Sequence, residues 1–272
     1  MSYTKVEFVN ITGETGEILI ARLSEIDYEG FEENEEKLTA YISSSLFNEN
    51  TLKQLAENYG VEYIVSELQP TNWNKLWESN FQPVTVDDFC TVRADFHDPS
   101  PGTKHEIVIT PKMSFGTGHH ATTYMMMQQM EHIDINNKRV LDFGTGTGVL
   151  AILAAKLGAS EVVAIDNDDW SIENANENFI RNNTGVELRK AETASAGGTY
   201  DIILANITRN VIIDNFSAFR SGLVSGGTLL LSGLLKEDEA EIIAQAGIYG
   251  FNFDNKLQRE NWICIKFKIL FG

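Results

Sequence analysis

The heptapeptide Asp142-Phe143-Gly144-Thr145-Gly146-Thr147-Gly148 constrains this chain more than any other feature. It follows Lys138-Arg139-Val140-Leu141, which reads as a strand, and an apolar helical run opens at Val149. A strand that turns on alternating glycines into a helix presents backbone N–H groups and a helix N-terminus to a crevice. Only glycine combines the backbone angles such a turn needs with room for a ligand against the main chain. The spacing here is G-x-G-x-G. A dinucleotide fingerprint needs glycine where Val149 stands, so the nicotinamide pattern fails by one position.

A second strand, Glu161-Val162-Val163-Ala164-Ile165, ends in Asp166, 18 residues past Gly148. An acid at the tip of the second strand is placed to accept hydrogen bonds from ribose hydroxyls. The ligand that carries a ribose, lacks a pyrophosphate and suits this turn is S-adenosylmethionine. The competing reading is a tight turn plus an acid that caps the next helix. Both signals fall in one strand-turn-helix frame, which favours the cofactor.

Around this frame strands alternate with helices. Strands are expected at 140–143, 162–165, 186–189, 202–205 and 228–232, and helices at 149–157, 170–181 and 209–223. The pattern predicts an α/β doubly wound parallel sheet. Its end differs, because 251–256 and 262–269 are joined by only about five residues, whereas a parallel crossover needs a dozen or more. A terminal antiparallel hairpin on such a sheet is the mark of class I methyltransferases. Upstream, residues 1–68 give a strand-helix-strand-strand-helix-strand order, that of a small ferredoxin-like α+β domain suited to recognising a partner. The first helix is placed after the glycines at 13 and 16, and Asn48 is placed to cap the second, which stops at Gly60. Residues 69–83 read as a linker whose Trp73 and Trp77 share one helical face, as a packing staple or facing substrate. The catalytic domain is set at 84–272, opened by strand-like runs at 84–93 and 105–110 that read as a hairpin.

Bulk properties narrow the partners. The net charge of −18 over 272 residues opposes binding to a phosphate backbone and suits a basic protein. No apolar run approaches the roughly 18 residues of a membrane span, and no signal peptide is visible, so a cytoplasmic protein is expected. Cys90 and Cys264 stand alone and read as buried thiols. His119-His120 has no third ligand at a recognisable spacing, so no metal is expected.

Further motifs carry a resemblance: Trp73-Asn74-Lys75-Leu76-Trp77, Met113-Ser114-Phe115-Gly116-Thr117-Gly118-His119-His120-Ala121-Thr122-Thr123, the glycine turn with Asp166, and Ala205-Asn206-Ile207. Together they resemble the bacterial methyltransferases that modify the eleventh protein of the large ribosomal subunit. The resemblance spans essentially the whole chain and is weakest in the small domain. It implies a two-domain enzyme that N-methylates lysine ε-amines and an α-amine of that ribosomal protein. Carried over, the cofactor contacts fall on Thr123, Gly144, Asp166 and Asn206, with Gly146 in the same turn. Thr117, Gly118 and His119 belong to the loop over the methionine end. The motif Asn206-Ile207-Thr208-Arg209 lacks the Pro-Pro-aromatic of relatives acting on planar amides and bases, which argues against a flipped base or glutamine amide.

Asn206 is the expected catalytic residue. It ends an apolar strand at the carboxyl edge where ligands bind in open α/β sheets, and its side-chain oxygen can accept a hydrogen bond from an amine. A strand-terminating turn is its structural alternative. His119 is read as loop architecture or a cofactor contact, not as a base. Asp142 either holds the cofactor's ammonium or ties down the glycine loop, Asp168 and Asp169 cap the helix expected at 170–181, and Glu192 is a candidate for the adenine amine. The alternatives to the main reading are a class I methyltransferase acting on another basic protein or a small amine, and a non-catalytic S-adenosylmethionine-binding protein.

Overall fold

Alternate residues of Tyr3–Val9 (β1) are buried, with Val6 and Phe8 at 0% exposure, so one face of this strand builds a core and the other is left to solvent. The computed structural model describes residues 3–9, 11, 13–34, 37–68, 82–110, 116–195 and 197–270. The chain divides into two compact units, Met1–Asn80 and Phe81–Gly272. In the first, β1 is followed by α1 (Gly13–Ser24), β2 (Tyr28–Asn34), β3 (Lys37–Ser43), α2 (Glu49–Tyr59) and β4 (Glu62–Leu68). The sheet order is β2-β3-β1-β4, every pair antiparallel. Asn48 caps α2 by accepting the Thr51 amide at 3.2 Å, and Gly60 ends it at φ +62°. Helix α1 starts at Gly13 and runs through Gly16 instead of after them. Its Leu19 and Leu23 are fully buried, and that packing outweighs the roughly 1 kcal/mol that an interior glycine costs a helix.

The second unit is built on β8 (Arg139–Phe143), α4 (Val149–Lys156), β9 (Glu161–Asp166), α5 (Asp169–Arg181), β10 (Glu187–Lys190), β11 (Tyr200–Asn206), α6 (Arg209–Gly222) and β12 (Leu223–Leu235). A helix α7 (Glu239–Ile248) and the strands β13 (Asn252–Arg259) and β14 (Trp262–Lys268) close it. The seven-stranded order is β10-β9-β8-β11-β12-β14-β13. Strands β8 to β12 pair in parallel, while β14 pairs antiparallel with both β12 and β13. The doubly wound sheet and its terminal hairpin therefore both form. The hairpin is tighter than its sequence suggested: only Glu260, at φ +56°, and Asn261 separate the strands.

Successive residues of the central strands feed opposite faces. Val140, Ile202 and Leu204 join one buried layer with α4, α5 and α3 (Ala121–Met130), whose Met125, Met126, Met127 and Met130 are all buried. Leu141, Ile203 and Ala205 join the other with α6 and α7. Strand order reverses between β8 and β11, whose ends lie side by side with Phe143 opposite Ala205. That reversal opens a crevice at the carboxyl edge of the sheet.

Residues 84–110 correct one expectation. The first run splits into β5 (Val84–Val86) and β6 (Cys90–Ala94), an antiparallel pair turned at Asp87, φ +46°. Strand β7 (His105–Ile109) then pairs with β6 in parallel, not as a hairpin, although only residues 95–104 connect them. A buried arginine makes so short a crossover stable. Arg93 donates to the Ala94 and His97 carbonyls at 3.1 and 2.8 Å and grips Glu106 through two nitrogens at 2.8 and 3.0 Å. Glu106 also accepts the Ser100 amide at 2.8 Å, so the crossover is folded around one ion pair.

Candidate active site

At the switch point a cleft of about 430 Å³ is lined by Gly144, Gly146, Asp166, Glu192, Asn206 and Trp262, among others. The glycine turn forms its floor. Gly144 has φ +75°, and a Cβ there would overlap the Ile207 side chain. Gly148 has φ +83° as it opens α4, where a Cβ would lie 2.5 Å from the Phe179 ring. Both conformation and space thus demand glycine. The Gly144 and Thr145 amides donate to the Ile165 carbonyl at 2.8 and 2.9 Å, fixing the turn to β9.

Asp166 holds the next amide. One carboxylate oxygen accepts from Gly146 at 2.9 Å and the other from Asp168 at 3.1 Å. Each oxygen has two lone pairs, so the carboxylate braces the turn and still offers acceptors to the cleft it lines. Asp168 caps α5 by accepting the Ser171 amide at 2.8 Å.

Asn206 ends β11 at 9% exposure. Its Nδ2 donates to Thr123 Oγ1 at 3.0 Å, which orients the amide and turns Oδ1 the other way. Oδ1 is buried and accepts no hydrogen bond. A buried acceptor without a donor costs about 1–3 kcal/mol, so the site stores a demand for a donor. Thr123, 1% exposed on α3, lies behind Asn206 in a small recess shared with Gly116, Gly144 and Asn206. Thr123 therefore holds the amide of Asn206 and meets the cleft only through that recess.

Asp142 lies beneath the turn at 1% exposure, where it accepts the Thr145 hydroxyl at 2.6 Å. Burial pushes its carboxyl up to about 7, against the Thr145 hydrogen bond, which pulls it down. His119 contacts the Gln82 carbonyl through Nε2 at 2.8 Å and Thr117 Oγ1 through Nδ1 at 3.2 Å, a bracing pattern for the loop that carries it. Both cysteines are buried and burial raises their thiols, Cys90 to about 12. No cluster of metal-ligating side chains occurs among the described residues. Trp73, Trp77 and the stretch 113–115 lie outside the described residues.

Among the cleft residues that the sequence did not assign, His120 and Trp262 stand out. His120 caps α3, bonds Thr122 Oγ1 through Nδ1 at 2.7 Å, and packs edge-on against Trp262 with ring centroids 4.6 Å apart. Trp262 begins β14 and brings an aromatic wall to the cleft from the last strand, not from the segment after β11. Its one signal in the sequence was a tryptophan at the start of an otherwise buried strand next to a tight turn.

A family model described as ribosomal protein L11 methyltransferase matches residues 11–269. The ribosomal protein L11 methyltransferase of Porphyromonas gingivalis is 44% identical over 260 residues, spanning 92% of this chain and 90% of that protein. The protein of the same name from Phocaeicola vulgatus is 37% identical over 278 residues, 98% of this chain and 99% of its own. A crystal structure of a ribosomal protein L11 methylase from Lactobacillus delbrueckii subsp. bulgaricus superposes with a TM-score of 0.66 at 28% identity, covering 70% of this chain and 100% of that one. Similarity at this level, over nearly the whole length, makes this chain an S-adenosylmethionine-dependent protein methyltransferase that belongs to the ribosomal protein L11 methyltransferase family.

Proposed function

We propose that this cleft methylates lysine ε-amines, and an α-amine, of ribosomal protein L11, with Asn206 as the catalytic residue. The observation that carries this reading is the buried, unpartnered Oδ1 of Asn206 in the wall of a cleft floored by the glycine turn. The residues present fit S-adenosylmethionine: backbone without side chains at Gly144 and Gly146, spare acceptor capacity on Asp166 suited to ribose hydroxyls, and a buried, unpartnered oxygen on Asn206. When bound, it supplies an electrophilic methyl group on a cationic sulfonium. Gly144, Gly146 and Asp166 would hold it, and Thr123 holds Asn206.

The remaining chemistry concerns the amine. A lysine ammonium has no lone pair, and offering the neutral amine at pH 7 costs about 4.6 kcal/mol from a reference pKa of about 10.4. Burial beside a positive charge lowers that cost, and alignment supplies a further gain. Asn206 Oδ1 accepts one N–H of the neutral amine and so directs its lone pair along the line of transfer. Aspartate at this position would hold the proton on. The Trp262 ring, fixed by His120, offers a π surface to the ammonium that each transfer produces.

The amino-terminal unit, an antiparallel sheet with two helices, is assigned the recognition of the ribosomal protein. The net charge of −18 supports a basic protein, not an RNA backbone, as the partner, and the substrate places the reaction in the cytoplasm. No helix among the described residues is long and apolar enough to cross a membrane. The test is incubation with methyl-labelled S-adenosylmethionine and purified L11, with modified positions mapped by mass spectrometry. Label on lysine or the α-amine is expected. Tight cofactor binding without label on L11 would overturn the substrate and leave the cleft assignment standing.

A further inference from the structure

Helix α5 and its C-cap carry asparagine at 174, 178 and 182, a spacing that puts all three on one face. That face meets β7, an edge strand of its own three-stranded sheet, whose backbone groups on that side need partners. Asn182 accepts the Val108 amide at 3.0 Å and donates to the Val108 carbonyl at 2.6 Å. Asn178 accepts the Thr110 amide at 2.8 Å, and Asn174 donates to the Thr110 carbonyl at 3.1 Å. The match is geometric. Four helical residues rise about 6.0 Å, and two strand residues advance about 6.6 Å, so Asn182 and Asn178 meet the alternate residues Val108 and Thr110, while Asn174 takes the remaining Thr110 carbonyl. A helix thereby pairs with a strand edge.

Asn178 breaks the pattern in one respect. Its Nδ2 turns away from β7 and donates to the Thr147 carbonyl at 2.8 Å, inside the glycine turn. Asn178 and Thr147 are both at 0% exposure, so neither group has water as a substitute partner. The Thr147 carbonyl and the Gly148 amide share one rigid peptide plane, and that amide closes the turn on the Thr145 carbonyl at 2.8 Å. Thr147 Oγ1 meanwhile donates to the Gly116 carbonyl at 2.8 Å. Three glycines with positive φ give the turn little stiffness of its own beyond that one internal bond. Its last peptide is held from outside, by Asn178.

We propose that Asn178 is a positioning residue of the cofactor site, clamping the peptide between Thr147 and Gly148 to Thr110, the residue that follows β7, so that affinity for S-adenosylmethionine depends on this one amide. Asn182 serves as the internal control, since it makes the same kind of bond to β7 and none to the turn. The experiment compares Asn178→Ala, Asn178→Asp and Asn182→Ala by thermal unfolding, by calorimetric titration with S-adenosylmethionine and S-adenosylhomocysteine, and by kcat at saturating cofactor. All three variants are expected to melt earlier. Asn182→Ala should bind both ligands within about twofold of wild type, whereas Asn178→Ala should bind about tenfold more weakly with kcat nearly unchanged. Asn178→Asp keeps the acceptor for Thr110 and loses the donor to Thr147, so it should weaken binding as the alanine does. If Asn178→Ala fails to fold, the aspartate variant carries the comparison. Unchanged affinity in the Asn178 variants, or equal weakening in Asn182→Ala, would overturn the proposal.

Discussion

Replacing Asn206 by aspartate changes one atom type and almost no volume, yet it should suppress the reaction strongly. The position is 9% exposed, so a charge placed there is poorly screened. An ammonium at hydrogen-bond distance, about 3 Å, would be held by about 5.5 kcal/mol at an effective dielectric near 20. That equals about 4 pKa units added to the cost of freeing the lone pair. Burial raises the aspartate's own pKa, and its protonated fraction restores part of the loss. The expected fall in kcat/KM at pH 7 is therefore about 10²- to 10⁴-fold. Affinity for the cationic cofactor should stay the same or rise. The assay is kcat/KM for L11 across pH 6 to 10, with cofactor affinity measured by calorimetry. Wild-type activity should climb with pH as the amine loses its proton, and the variant's climb should be displaced to higher pH. A variant as fast as wild type at pH 7, or one whose profile shifts to lower pH, would refute the argument that a neutral acceptor is required.

Other outcomes follow from the same geometry. Gly144→Ala forces alanine into φ +75° against Ile207, and should cost about 2–3 kcal/mol in urea unfolding together with most cofactor affinity by calorimetry. Trp262→Ala should lower kcat/KM for L11 about tenfold with cofactor affinity little changed, and Trp262→Phe should recover part of it, as steady-state kinetics would show. Glu106→Ala leaves Arg93, its side chain only 10% exposed, without its carboxylate and should cost about 3 kcal/mol in denaturant unfolding. Asp142, raised by burial to about 7 from 3.8, contributes stability that is fully present below pH 4 and is lost as pH rises through 7. Asp142→Asn should accordingly flatten the stability curve over that window, by up to about 4 kcal/mol, in unfolding measured at several pH values.

What could be read from the sequence was whatever is local in it. The glycine turn and Asp166 announce themselves because a backbone conformation and a strand tip leave fixed spacings, and Asn206 because it ends an apolar strand. The bond from Asn206 to Thr123 joins residues 83 apart, and only the resemblance brought both to one site. Trp262 enters from the far end of the chain through the placement of β14 between β12 and β13, which no spacing encodes. The parallel pairing of β6 and β7 was hidden because loop length argued against it, and Arg93 with Glu106 overrides that argument through buried charge. Helix α7 was missed, with only Ile242 and Ala246 buried along it, too sparse a stripe to declare a helix. Glycines at 13 and 16 misplaced the start of α1 because propensity is a weak prior against a packed leucine pair.

If the cleft around Asn206 performs methyl transfer, Asn206→Ala must separate cofactor binding from catalysis. The measurement pairs calorimetric affinity for S-adenosylmethionine with the single-turnover rate of label transfer to L11. Cofactor affinity should stay within about tenfold of wild type while the single-turnover rate falls at least about 100-fold, because the glycine turn and Asp166 still bind while nothing aligns the amine. A single-turnover rate that survives the substitution would contradict the account and place the catalytic group elsewhere in the cleft.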